Sequence, residues 1–303
     1  MAYSSFFAVL FLGLIFNYGC VSKDDSMKEE TVNESVVVDE VPVSTPPVIT
    51  PPPVVTTPPP VITPPPVVTP SANPQAGKVS LWKRSTSYDC AVFLPADYGS
   101  NPNKQYPLIL SMHGLNGSVL NTAHTDVGGS KTGFIKQVWG TTLASKYPAI
   151  VIAPNWSPVG SSASGLWNHS QLRQLILEAL KKYQVDPLRV VVTGLSAGSI
   201  ATQELIKYSK DLLAGAMPGA YNSTLMTSNP CQMADLPVWV FGNSSDSYFQ
   251  ASGWTGIEPK VQACSNYTHE FTLNVYQSSC GHGCWDTHWA KPEVQQWLIN
   301  QTR

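Results

Sequence analysis

The sequence predicts an α/β domain whose mainly parallel, twisted sheet is covered by helices on both faces. Short continuous apolar runs such as Leu108-Ile109-Leu110 and Ala149-Ile150-Val151-Ile152 read as strands buried on both sides. Stretches of helical periodicity alternate with these runs, which is the βαβ arrangement of a parallel sheet. Gly194-Leu195-Ser196-Ala197-Gly198 joins the apolar run Val190-Val191-Val192 to a helix-like stretch. Small residues on both sides of a serine at a strand-to-helix junction allow a sharp turn that lifts its hydroxyl clear of the sheet.

In chain order, residues 79–84 and 89–94 alternate as an antiparallel strand pair. Residues 172–183 carry Leu172, Leu175, Ile176, Ala179 and Leu180 at helical spacing. A strand over 189–193 and a helix over 198–208 flank Ser196. A short apolar stretch at 213–217 is followed by strands over 238–241 and Phe271–Tyr276. The helix Pro292–Asn300 closes the chain, with proline in its first turn.

The first 77 residues have a different character. The apolar run 6–16 is too short to span a bilayer comfortably and has the length of a signal-peptide core. Residues 1–20 therefore read as an export signal. Gly19-Cys20 followed by Ser22-Lys23-Asp24-Asp25 resembles a bacterial lipoprotein site, with Cys20 as the lipidated residue. An uncleaved anchor is the alternative, since no Lys or Arg precedes the run.

Residues 21–77 read as a disordered linker, acidic at first and then Pro/Thr/Val-rich. Residues 42–74 hold 14 of the 26 prolines, a composition that favours a solvated polyproline II rod. At roughly 3.1 Å per residue, 46–70 extends on the order of 80 Å. What remains, 78–303, suits a single catalytic domain. It holds 16 basic and 13 acidic side chains with no basic cluster, which argues against a nucleic-acid partner.

A serine hydroxyl is a weak nucleophile and needs an imidazole to take its proton; the imidazole in turn needs a carboxylate to fix its tautomer. On this type of sheet the chain order is serine, acid, histidine. His282, in Cys280-Gly281-His282-Gly283-Cys284, follows the last strand in a glycine-flanked loop. His288 is its nearest rival and reads as a surface or packing residue, while His269, His124 and His169 read as solvated. Asp246 follows the strand 238–241 at a carboxyl edge, whereas Asp235 precedes it and Asp286 is too close to His282 in sequence. His113-Gly114 ends the strand around 108–110, so the amide of Leu115 can join that of Ala197 as an oxyanion donor. His113 itself reads as structural.

Five cysteines follow Cys20. Cys231, Cys264 and Cys280 are candidates for disulfides whose connectivity spacing does not determine. The spacing of Cys280, His282 and Cys284 gives no metal assignment, and no cofactor is expected.

These residues resemble the α/β-hydrolase superfamily. Within it the similarity is to secreted esterases of the feruloyl esterase, acetyl xylan esterase and polyhydroxybutyrate-depolymerase-like group. The resemblance runs through Tyr106-Pro107-Leu108-Ile109-Leu110, His113-Gly114, Val185-Asp186-Pro187-Leu188-Arg189-Val190 and on to Gly198, ending at Gly281-His282-Gly283-Cys284-Trp285-Asp286. Ser199 departs from the glycine often found after this turn.

The resemblance implies a serine carboxylic-ester hydrolase with Ser196, Asp246 and His282 as triad and Leu115 and Ala197 as oxyanion donors. The expected partner is an ester substrate, polysaccharide-linked (feruloyl or acetyl) or polyester. The expected location is exported, with membrane attachment only through Cys20. Two other readings are a serine peptidase of the prolyl-oligopeptidase type and a non-catalytic cell-surface binding module on the same fold. Among the nine tryptophans, Trp156 and Trp254 are expected at the cleft rim because both fall in loops, with Trp285 beside His282.

Overall fold

The computed structural model describes residues 76–303, except 85–87, 116, 122–124, 130–131, 157–166, 222–223, 250–253 and 255. The expected signal 1–20 with Cys20, the linker up to residue 75, and His124 lie outside the described residues.

Eight strands form one sheet: β1 Val79–Trp82, β2 Cys90–Phe93, β3 Tyr106–Met112, β4 Ile150–Pro154, β5 Val185–Leu195, β6 Gly215–Gly219, β7 Val238–Asn243 and β8 Phe271–Tyr276. Their spatial order is β1-β2-β4-β3-β5-β6-β7-β8. β1 and β2 pair antiparallel, as do β2 and β4, and every later pairing is parallel. The helices are α1 Ile135–Val138, α2 His169–Lys182, α3 Ala197–Ser209, α4 Thr224–Thr227, α5 Glu258–Gln262, α6 Trp285–Trp289 and α7 Pro292–Asn300.

Strand alternation sends neighbouring residues to opposite faces, and along the central strands both faces are dry, while the edge strands β1 and β8 are half-buried. Leu108, Leu110, Val190, Val192, Ile150 and Ile152 join one core with Leu172, Leu175 and Ile176 of α2 and Leu205 and Ile206 of α3. Ile109, Val191 and Val151 join the other with Ile135 of α1, Trp289 of α6 and Leu298 of α7. This is why the central strands read as unbroken apolar runs rather than alternating ones.

Local chemistry sets several boundaries that periodicity misplaced. α2 begins at His169, three residues before the apolar pattern, because the Asn168 side chain accepts from the Gln171 amide at 3.0 Å and caps the helix. Lys181 and Lys182 occupy its last turn, where the helix dipole favours cations. β1 stops at Trp82: the Arg84 amide turns to Asp89 Oδ1 (2.7 Å), and its guanidinium reaches Glu178 of α2 (2.6 Å). β5 starts at Val185 rather than 189, since Tyr106 pairs with Val185 and the register then shifts before Leu108. The apolar stretch at 213–217 becomes β6, offset toward Gly219. The sequence predicts none of the short helices α1, α4, α5 and α6, which at four or five residues are too short for a periodic signal.

Cys231 pairs with Cys264 and Cys280 with Cys284, while Cys90 is a buried free thiol.

Leu175 of α2 is fully buried in the core and does not line the cleft of Ser196 and His282. Leu175→Ala is expected to lower unfolding free energy by about 2–5 kcal/mol, read from urea denaturation, through lost transfer energy and the cavity left behind.

Candidate active site

β5 ends at Leu195 and α3 begins at Ala197, leaving Ser196 alone to reverse the chain. It does so with φ 53° and ψ −117°, a left-handed-side conformation that L residues with a Cβ rarely adopt. Backbone contacts hold it there. The Ser196 amide donates to Gly219 O at 3.0 Å, and its carbonyl accepts from the Ser199 and Ile200 amides as the first turn of α3. The flanking glycines are required by close approach: a Cβ on Gly194 would lie 2.3 Å from Gly198 O, and one on Gly198 would lie 2.4 Å from Met112 O. α3 thus packs its first turn directly on the ends of β5 and β3.

The turn after β3 lies against the same serine. A Cβ on Gly114 would be 3.2 Å from Ser196 Cβ. Beneath it, the fully buried His113 accepts the Trp156 amide on Nε2 at 3.0 Å, so its proton sits on Nδ1 and is donated to Gly114 O at 2.7 Å. Burial pushes its pKa down to about 4, which keeps the ring neutral. His113 is structural, as its position suggested. The next residue, Leu115, is 60% exposed at the cleft. No described residue accepts a hydrogen bond from the N–H of Leu115 or of Ala197.

At the far side, β7 delivers Asp246 three residues beyond its end, and the loop after β8 delivers His282. The His282 Nδ1–H donates to Asp246 Oδ2 at 2.8 Å, and the carboxylate is fully buried. Asp246 Oδ1 accepts from the Tyr248 amide at 2.8 Å, so both oxygens are engaged. With Nδ1 holding the proton, Nε2 of the neutral ring is a base. Ser196 and His282 line one cleft of about 490 Å³, together with Leu115, Tyr221, Tyr248 and Trp285. Among the described residues no hydrogen bond joins the Ser196 hydroxyl to the imidazole; such contacts commonly tighten only with substrate in place.

The rival residues are occupied elsewhere. His288 is buried, stacked on Phe241 at 3.9 Å and bonded to the Tyr276 hydroxyl, so of the two expectations for it packing holds. Burial, aided by Lys291, pushes its pKa down to about 3. Asp235 pairs with Lys210 and Asp286 with Lys136.

Two tryptophan expectations are corrected. Trp156 is 4% exposed and packs on Trp167 beneath the His113 turn, not on the rim. Trp254 is fully buried, its indole N–H donating to Tyr221 O at 3.2 Å and its ring lying against Phe271. A loop position did not keep either ring in solvent, because each large apolar face found a core neighbour. Trp285 does line the cleft, with its ring edge-on to His282 at 5.1 Å.

Sequence reasoning missed Tyr221 and Tyr248. Tyr248 is 58% exposed with its ring 4.6 Å from that of His282. Its position two residues after Asp246 on a carboxyl-edge loop was the available signal.

No protein-family model matches the chain. Over 124 residues it is 32% identical to poly(3-hydroxyalkanoate) depolymerase C of Paucimonas lemoignei, a match covering 38% of this chain and 30% of that protein. Among solved structures it is similar to a thermostable esterase (21% identity, TM-score 0.57, covering 74% of this chain and 63% of that one). It is also similar to the feruloyl esterase module of Clostridium thermocellum, solved with sinapinate (14% identity, TM-score 0.52, covering 76% and 91%). With these neighbours and the strand order above, the fold is the α/β-hydrolase fold.

Folded-state pKa values near 4 for His113 and near 3 for His288 lie below the ordinary value of 6.5, so the unfolded chain binds more protons in this range. Their contribution is fully present above pH 6.5 and is lost as pH falls through 4 for His113 and through 3 for His288. Glu204, raised by burial, acts in the opposite sense. Urea midpoints are expected to be flat between about pH 6.5 and 8 and to drop below that window, with His288→Gln reducing the acid slope; burial of the Cys90 thiol and of the Tyr147 and Tyr183 hydroxyls lowers them again at alkaline pH.

Proposed function

We propose that this chain is a serine carboxylic-ester hydrolase working through an acyl-enzyme. The observation that carries the reading is the shared cleft of Ser196, held in its sharp turn, and His282, whose Nδ1 is bonded to the buried Asp246.

Ser196 Oγ attacks the ester carbonyl carbon while His282 Nε2 takes the hydroxyl proton. The Asp246 carboxylate fixes the ring's tautomer and stabilises the imidazolium. Negative charge developing on the carbonyl oxygen is met by the N–H groups of Leu115 and Ala197. The tetrahedral intermediate collapses, the alcohol leaves with the proton from Nε2, and the acyl group remains on Oγ. A water, deprotonated by the same imidazole, then releases the acid and restores the serine.

The cleft walls support a substrate class. Tyr221, Tyr248 and Trp285 give aromatic surface, and the described lining residues include no Asp, Glu, Lys or Arg. That suits an uncharged ester with an apolar or aromatic acyl part, carried by a polyester or a polysaccharide. The partial likeness to a poly(3-hydroxyalkanoate) depolymerase supports the polyester form, and the fold neighbour solved with sinapinate supports the aromatic form. The signal-like residues 1–20 and the proline-rich linker suit an exported enzyme held at a distance from the envelope, with Cys20 as the candidate lipid anchor.

The protein is expected to hydrolyse short p-nitrophenyl esters and to react with a fluorophosphonate probe at Ser196. Ser196→Ala should lose both, and His282→Ala should lower kcat by about 10³-fold or more. Equal turnover by wild type and Ser196→Ala would sink the assignment. Cleavage of peptide substrates in preference to esters would favour a peptidase, and no labelling at all would favour a binding module.

A further inference from the structure

The histidine loop is short, partly exposed and rich in glycine, yet its imidazole meets a buried carboxylate at 2.8 Å. Something outside the loop has to set its position. Cys280–Cys284 closes it into a five-residue ring around His282. A closed ring, however, can still tilt as a unit relative to the sheet.

Asn243, the last residue of β7, is almost fully buried (3% exposed) directly beneath this ring. Its Nδ2 donates to Cys280 Sγ at 2.8 Å and to Gly281 O at 3.3 Å, while its Oδ1 accepts the Ser245 amide at 3.2 Å. Three of the carboxamide's four bonding positions are used, both N–H donors and one lone pair of the oxygen. Flipping the amide would set its oxygen against Gly281 O and its NH₂ against the Ser245 N–H, so the orientation is determined by its partners. A fourth bond runs alongside, from the Gly281 amide to Ser245 Oγ at 3.0 Å. Asn243 also anchors the acid side: its carbonyl accepts the Asp246 amide at 3.1 Å. One residue therefore grips both the loop that carries the carboxylate and the ring that carries the imidazole.

We propose that Asn243 is a positioning residue for His282, acting through the disulfide-closed ring Cys280–Cys284, with Ser245 as its auxiliary. This rests on the ester-hydrolase reading above. Asn243 does not line the cleft and touches no substrate. Its effect is to hold the imidazole on Asp246 and within the cleft it shares with Ser196, a placement for which displacements of about 1 Å can cost on the order of 10²-fold.

The test compares Asn243→Ala and Ser245→Ala with wild type and Ser196→Ala in the full chain. Active sites are counted by the end-point of fluorophosphonate labelling, and the low-field proton resonance of the His282 Nδ1–H bonded to Asp246 is recorded. For Asn243→Ala, kcat per titrated site is expected to fall by about ten-fold or more with KM within about two-fold. The Nδ1–H resonance should broaden or vanish. Ser245→Ala, at an exposed position that does not threaten folding, should show the same changes to a smaller degree.

A purely structural role for Asn243 would lower Tm and the number of titratable sites but leave kcat per site and the resonance unchanged, and that result overturns the proposal. If Asn243→Ala does not fold, unchanged kcat and resonance in Ser245→Ala overturn it instead. Wild type that fails to hydrolyse esters, yet loses the resonance on Asn243→Ala, would refute the ester-hydrolase reading while upholding the positioning role.

Discussion

The backbone at Ser196 can hold φ 53° only because α3 is pressed onto the sheet closely enough to leave no alternative path. That approach is measured by two glycines whose missing side chains would otherwise collide with main-chain oxygens at 2.3 and 2.4 Å. The cost of the strained residue, of the order of 1–3 kcal/mol, is borne by the packing around it. Leu205 and Ile206 seat α3 on one face of the sheet. The remaining architecture serves the same end: β3 and β6 on either side of β5 supply the carbonyl oxygens of Met112 and Gly219 that box in the turn.

Parallel order explains why the other polar groups arrive at the same place. β3, β5 and β7 all run the same way, so the turns after them open on one edge. Leu115 comes after β3, Ser196 after β5, Asp246 after β7, and His282 after β8. Three of these four turns are anchored underneath by a buried polar side chain, neutral His113 below the first and Asn243 below the last two, while the Ser196 turn is held by the backbone bond to Gly219 O. These anchors hold loops that would otherwise be too short of apolar contacts to stay in one conformation.

The cleft surface is built differently from its base. Leu115 and Tyr248 are both more than half exposed and stand at its margin, while Trp254 works from behind by bonding the Tyr221 carbonyl. Large side chains thus divide into those that present a face to the cleft and those that buttress it. Composition alone cannot separate the two, since Tyr248 and Trp254 are both aromatic residues in the same loop after β7.

Residue order alone determined the α/β class, the strands around Leu108, Ile150, Val191 and Val240, the helices that became α2, α3 and α7, and the candidate set Ser196, Asp246 and His282. These were legible because apolar period and turn chemistry are local properties, carried by residues within a few positions of one another. Tertiary structure decided what depends on distant neighbours. It sent Trp156 and Trp254 into the core, paired Cys280 with Cys284 rather than with Cys231 or Cys264, and set Asn243 under the histidine loop 37 residues away. Whether a ring is buried, or which sulfur lies within bonding reach, is a matter of which surfaces meet after the sheet has formed, and no local pattern encodes that.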